Sequence, residues 1–272
     1  IYFLRFGDQE PGAGAFKRYD RTFFFFSQEW RKDKRFVTLT STVPDADLRQ
    51  GIFPVDICLQ ATGTTCDEVL PAGTALSTLR PINPIAQQYV DFIYNNLPQP
   101  TNPANYHLLF PTLNKFDFGQ EILKIDHSFN SNASMYYRFQ RDSIPTIEAN
   151  SLFSSGSGLP GVSTTETDSP GRTHTAHLTY AHNSNLIFEG SYTYGYGAIL
   201  SNNVGLLALE NSPIAPNLPY ANERDRVPTI TGNGFSNLQS FGPYDNFSWK
   251  QNWSGSMTWI AGSHTMKFGA IY

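Results

Sequence analysis

The sequence predicts an all-β chain, an antiparallel transmembrane β-barrel segment of about seven or eight strands with long extracellular loops and one short loop helix. Three observations predict it. Short-turned hairpins recur three times. Long stretches rich in Gly, Pro, Ser and Asn separate them. Side chains inside each strand alternate between aromatic and hydrophilic. Short turns on one rim and long loops on the other are how outer-membrane barrels of bacteria are threaded. A soluble sandwich also alternates, with aromatics inward and polar residues outward. Trp and Tyr in place of Ile and Val favour the barrel, because a bilayer interface satisfies an apolar ring and a polar edge together.

Read in order, Ile1–Phe6 is a strand end, Gly7–Ala15 a Gly-rich link and Lys17–Arg21 a charged turn. Thr22–Gln28 is a strong strand whose block of Phe23 to Phe26 puts rings on both faces and predicts cover on the inner side. The strand continues through Arg35–Ser41 until Val43-Pro44-Asp45 ends it. Residues 42–115 then read as an extracellular loop insertion. Its one helical candidate is Ile82–Asn96, with Ile82, Ile85, Ala86, Tyr89 and Ile93 at helical spacing. Pro98, Pro100 and Pro103 stop it.

The three hairpins follow. Ile122–Gln140 turns at Phe129–Ala133, Arg172–Tyr196 turns at His182–Asn185, and Phe247–Tyr272 turns at Ala261–Ser263. Parity predicts all three turns on one rim. Arg141–Gly171 and Ala198–Asp245 are the long polar loops between them, the second carrying five prolines from Pro213 to Pro243. Loops of that length in a compact domain are functional or mobile.

Alternation assigns faces. Tyr137, Phe139, Tyr192 and Tyr194 are expected to face lipid, together with Trp249, Trp253, Trp259 and Phe268. Lys124, Arg138, Glu189 and Lys250 fall on the opposite faces and are expected to line the lumen. There they either guide solute and contact a plug or merely solvate the interior.

Bulk properties agree. The chain has 272 residues, a net charge of −4 and only 15% charged side chains against 14% aromatic. Its mean hydropathy of −0.34 is too polar for a helical membrane protein. Nucleic acid is not an expected partner, since that requires a basic face. Cys58 and Cys66 are the only cysteines and close a small loop-like stretch. In an exported protein this reads as a disulfide, and two thiolates without neighbouring His or Cys leave a tetrahedral metal site incomplete.

No enzyme motif emerges. Asp126-His127 is half of an acid–base pair or a solvated strand end. His174 and His177 differ in strand parity, which speaks against a shared ion. Ser155-Gly156-Ser157-Gly158 lacks the strand–turn–helix context of a nucleophile elbow and reads as a flexible loop. No cofactor is implied.

Several stretches nevertheless share a pattern. Arg21-Thr22-Phe23-Phe24-Phe25-Phe26-Ser27-Gln28-Glu29-Trp30 resembles a strand of TonB-dependent outer-membrane receptors of the Oar-like, carboxypeptidase-regulatory-domain type. Thr42-Val43-Pro44 with Leu48-Arg49-Gln50-Gly51-Ile52-Phe53 is similar to the segment that follows there. Arg80-Pro81-Ile82-Asn83-Pro84-Ile85-Ala86 resembles that family's helix start. Lys124-Ile125-Asp126-His127-Ser128-Phe129 and Gly262-Ser263-His264-Thr265-Met266-Lys267-Phe268-Gly269 resemble later strands, in the family's order. Gly12-Ala13-Gly14-Ala15 departs from its pattern.

The resemblance implies residues 1–272 to be part of a barrel of about 22 strands with a plugged lumen, the plug domain lying before this chain. It implies energised uptake of a scarce nutrient (a siderophore, a glycan or a peptide) with outer-membrane lipid and the TonB complex as partners, in the bacterial cell outer membrane. The alternatives are a small porin-like or adhesin-like barrel, favoured by the terminal Tyr272, and a secreted carbohydrate-binding sandwich.

Overall fold

The computed structural model describes residues 21–272 apart from Glu223 and Asn233. The strand end, link and most of the charged turn expected before Arg21 lie outside the described residues. One large antiparallel sheet dominates. Its strands are β1 (Thr22–Thr42), β4 (His107–Ser128), β5 (Ala133–Ser143), β6 (Thr146–Glu148), β7 (Thr165–Asp168), β8 (Gly171–Asn183), β9 (Leu186–Asn203), β10 (Tyr244–Ala261) and β11 (His264–Ile271). A separate hairpin, β2 (Ile57–Thr62) and β3 (Thr65–Leu70), lies in the first loop.

Across the sheet the order is β1-β4-β5-β8-β9-β10-β11, each pair antiparallel. β6 and β7 are continuations. β6 meets β4 in the register of β5, with Lys115 opposite Ile147 as Gly119 is opposite Ser143. β7 likewise meets β9 in the register of β8. The two interruptions fall at Pro145 and Pro170, which have no N–H to give the ladder. Their carbonyls still accept, from Asp117 N at 2.9 Å and Ala198 N at 3.0 Å. The prolines therefore interrupt two long strands without changing their register, and the expected loop over 141–171 contains sheet.

The first strand runs unbroken over 21 residues, so Thr22–Gln28 and Arg35–Ser41 are one element. Its partner β4 begins at His107, which moves residues 107–115 from the expected loop insertion into the sheet. The helix of that insertion is shorter than expected. α2 covers Pro84–Phe92, with Asn83 as N-cap and Pro84 at the first helical position. A brief α1 (Ala46–Arg49), capped by Asp45, precedes it.

The three short turns lie on one rim, as the register of their strands requires. Asn130 Oδ1 accepts from Asn132 N at 2.8 Å, and Asn183 Oδ1 from Asn185 N at 2.9 Å. These asparagine side chains replace backbone partners and make the tight turns. At the third, Gly262 takes φ 61°, a conformation glycine adopts without a Cβ clash. The long connections 43–106, 149–164 and 204–243 all leave from the opposite rim.

Candidate functional site

The long loops do not wave in solvent. Val43, Tyr89, Ile93 and Leu97 from the first connection and Leu108 at the start of β4 pack with Leu159 and Val162 from the second connection and Leu207, Ile214, Val227 and Leu238 from the third. All eleven are buried, and together they form the one apolar core among the described residues. The loops thus condense into a single cap on the long-loop rim. Polar groups pin it. The Arg49 guanidinium donates to the carbonyls of Pro44, Leu97 and Pro98 at 2.9, 3.0 and 2.9 Å, joining α1 to the chain after α2. Burial holds this guanidinium below its ordinary pKa, partly offset by Asp45. The Tyr89 hydroxyl donates to the Pro228 carbonyl at 3.1 Å, tying α2 to the third loop. Burial raises the phenol pKa of both Tyr89 and Tyr94.

Close packing explains the small residues. A Cβ at Gly205 would stand 2.5 Å from the Val162 carbonyl oxygen, and one at Gly156 2.7 Å from Ser163 Cβ. Ser155–Gly158 is therefore a fitted part of the cap rather than a flexible loop. Ser157 and Ser163 share a hydrogen bond of 2.7 Å there.

Beneath the cap the sheet is a single layer exposed on both faces. Register places Tyr137, Phe139, Tyr192 and Tyr194 on the same face as Trp249, Trp253, Trp259 and Phe268. Trp249, Trp253 and Phe268 are 61, 53 and 54% exposed, so this aromatic face has no protein cover among the described residues. Cross-strand ring contacts run along it, such as Tyr192 on Trp253 at 4.2 Å between centroids. Lys124, Arg138, Glu189 and Lys250 share the opposite, polar face. They form no single cluster. Lys124 pairs with Asp126 at 2.6 Å, Arg138 donates to Gln140 at 2.7 Å, and Glu189 lies 3.4 Å from Lys267 and accepts from the Ser256 hydroxyl at 3.1 Å.

The smaller motifs separate. Asp126 faces the polar side on Lys124, whereas His127 bonds Thr22 Oγ1 at 2.8 Å on the aromatic side. His174 bonds the Tyr137 hydroxyl at 2.7 Å, and His177 stacks on Tyr136 across the sheet. Among the described residues no three His, Cys, Asp or Glu side chains are grouped to hold a metal. Cys58 and Cys66 are disulfide-bonded, with Cα atoms 5.8 Å apart, and the bond braces the β2–β3 hairpin.

Sequence reasoning missed one cluster at the long-loop rim. Phe153, Phe241 and Tyr244 bring their rings within 5.4–6.1 Å of one another. Tyr244 opens β10 on the polar face, beside Asn246, whose Nδ2 donates to its hydroxyl at 2.9 Å. Only Tyr244 belongs to an alternating strand; the other two rings sit in irregular loops with no period to reveal them.

A family model described as an outer membrane beta barrel domain matches residues 17–272. Comparison with curated proteins and with solved structures finds no match.

Proposed function

Because the chain belongs to the family of outer membrane beta barrel domains and resides in the bacterial outer membrane, we propose that it forms the wall and external cap of a receptor for TonB-energised uptake of a scarce nutrient. The aromatic face meets lipid and the polar face lines the lumen. Ten residue steps separate Trp249 from Trp259 on β10. At ~3.3 Å per residue and a tilt of ~40°, they span ~25 Å of bilayer, the height of an apolar barrel band. Exchanging the faces would put Lys124, Glu189 and Lys250 into hydrocarbon.

The observation that carries the uptake reading is the cap. A general porin needs open loops. Here three loops share one buried core over the lumen mouth, a rigid surface suited to selective capture. The ordered motifs from Arg21–Trp30 to Gly262–Gly269 support the TonB-dependent class. Among the described residues seven continuous runs make one antiparallel sheet, with β1 and β11 at its two edges, an arrangement compatible with a barrel wall. A sheet that is a single layer among the described residues weighs against a sandwich. On this reading the partners are outer-membrane lipid, a nutrient ligand, and the TonB complex acting through a plug.

The test is genetic and electrical. Deleting the gene should impair growth on one limiting nutrient, and loss of TonB or addition of a protonophore should reproduce that defect while surface binding persists. The purified full-length protein in planar bilayers should carry no steady current. Sustained open-channel conductance, with growth indifferent to TonB, would overturn the reading in favour of a porin.

A further inference from the structure

We infer that Phe153, Phe241 and Tyr244 form a docking ledge for a neutral saccharide at the external mouth of the lumen. This inference rests on the uptake reading and names its substrate class. Its first support is backbone strain. Ser151, Phe153 and Ser154 have φ values of 67°, 59° and 53°. Side chains in this left-handed region bring Cβ against the following carbonyl, so three such residues within four are costly. The surroundings enforce them. Phe241 N donates to Ser151 Oγ at 2.9 Å, Asn150 Nδ2 donates to the Ser154 carbonyl at 3.3 Å, and Ser154 N donates to the Ser151 carbonyl at 3.1 Å. The outcome is that Leu152 is buried while its neighbour Phe153 stands 62% exposed. Strain held in place to present an aromatic ring to solvent is a mark of a contact surface.

The second support is position. Tyr244 is the first residue of β10 at the long-loop rim, and its ring shares the lumen face with Asn246. A solute entering beneath the cap passes the three rings before it reaches the wall.

The third support is the chemistry of that wall. Below the ledge the lumen positions of β8, β9 and β10 include Thr173, Thr175, Ser191, Thr193, Ser248 and Asn252. A Cβ at Gly195 or Gly197 would meet nothing within 4 Å, so the wall is open there. Lys250 is the one charge between Tyr244 and Asn252 on this face of β10. Saccharides match this arrangement. Their C–H faces stack on aromatic rings, and their hydroxyls both donate to and accept from Ser, Thr and Asn. An anionic metal chelate would call for several free cations near the rings; β8, β9 and β10 offer Lys250 there, while Lys124 and Lys267 on other strands are each paired with a carboxylate and Arg138 lies on β5. A peptide bound by strand addition would call for a free strand edge, and β8, β9 and β10 are paired on both sides.

The experiment uses the full-length protein in outer-membrane vesicles against a panel of neutral oligosaccharides, read by equilibrium binding. The wild type should retain at least one of them, with or without protonophore. Phe153→Gly removes the ring yet suits the left-handed backbone, so the fold should be kept while affinity falls ~10-fold or more. Phe153→Tyr should bind as wild type, and Tyr244→Ala should weaken binding as Phe153→Gly does. Undiminished binding by Phe153→Gly overturns the inference, as does a panel with no neutral ligand, or Phe153-dependent capture of a ferric chelate or peptide instead. Binding that obeys the prediction without TonB-dependent uptake would leave the ledge standing and remove the transport reading.

Discussion

Replacing Trp253 by Arg tests the assignment of the two faces quantitatively. Trp253 lies four residues from Trp249 and six from Trp259 on β10. With ~3.3 Å per residue and a tilt of ~40°, it sits ~10 Å below the external boundary, close to the middle of the bilayer. A lipid-facing Arg there costs roughly 2–4 kcal/mol. Losing the contact with Tyr192, 4.2 Å between centroids, adds about 0.5–1.5 kcal/mol. The sum is about 2.5–5.5 kcal/mol, roughly two to four orders of magnitude in the folding equilibrium. Two controls isolate the cause. Asn252→Arg places the same charge one residue away on the lumen face and should cost almost nothing. Trp259→Arg sits at the interface near the short turns, where the penalty falls to about 0–1 kcal/mol. The assay is urea-dependent folding of the full-length protein into lipid vesicles, followed by heat-modifiable electrophoretic migration. Equal penalties for Trp253→Arg and Asn252→Arg would refute the face assignment, and equal penalties at Trp253 and Trp259 would refute the depth.

Other consequences concern the cap. Arg49→Met should loosen it by about 3 kcal/mol, because three carbonyls lose a charged donor. Arg49→Lys should not restore it, since one ammonium does not reproduce the planar fork; limited proteolysis of intact cells reads both. Reduction of Cys58–Cys66, which spans eight positions, should cost the hairpin about 2.5 kcal/mol and expose residues 57–70 to protease while the sheet stays folded. The raised phenol pKa values of Tyr94 and Tyr89 give the cap stability that is full below the unfolded value of about 10. That contribution is lost as pH climbs through the folded values. Alkaline titration should therefore show tyrosinate absorbance rising together with protease sensitivity of the loops, and independent transitions would count against burial of these phenols.

The sheet was far more legible than the cap. Strand alternation in Phe247–Ile260 and the Asn-rich turns are local signals, each readable within about ten residues. The cap core has no such signal. Val43, Leu159 and Leu238 are isolated apolar residues among prolines, glycines and serines, Leu207 sits in a short apolar run without strand or helix period, and only the threading of the sheet brings them together. Residues 141–171 read as a polar loop for a related reason. Their short β6 and β7 carry no alternation of their own, and they hold the register of β5 and β8 across Pro145 and Pro170 because neighbouring strands supply the hydrogen bonds. The disulfide was legible from the two cysteines alone, whereas Thr62–Thr65 read as loop and proved to be the turn of a hairpin around Gly63 at φ 64°. Phe153 was invisible because nothing local marks a left-handed phenylalanine.

The most direct test of the central claim is a spin-label scan of Phe247–Ile260 in the full-length protein in membranes, with the Cys58–Cys66 bond intact. The account predicts collision with oxygen peaking at odd positions such as Trp249 and Trp253, and collision with a water-soluble nickel chelate peaking at even positions such as Lys250 and Asn252. A scan with no two-residue period, or with the two phases exchanged, would contradict it.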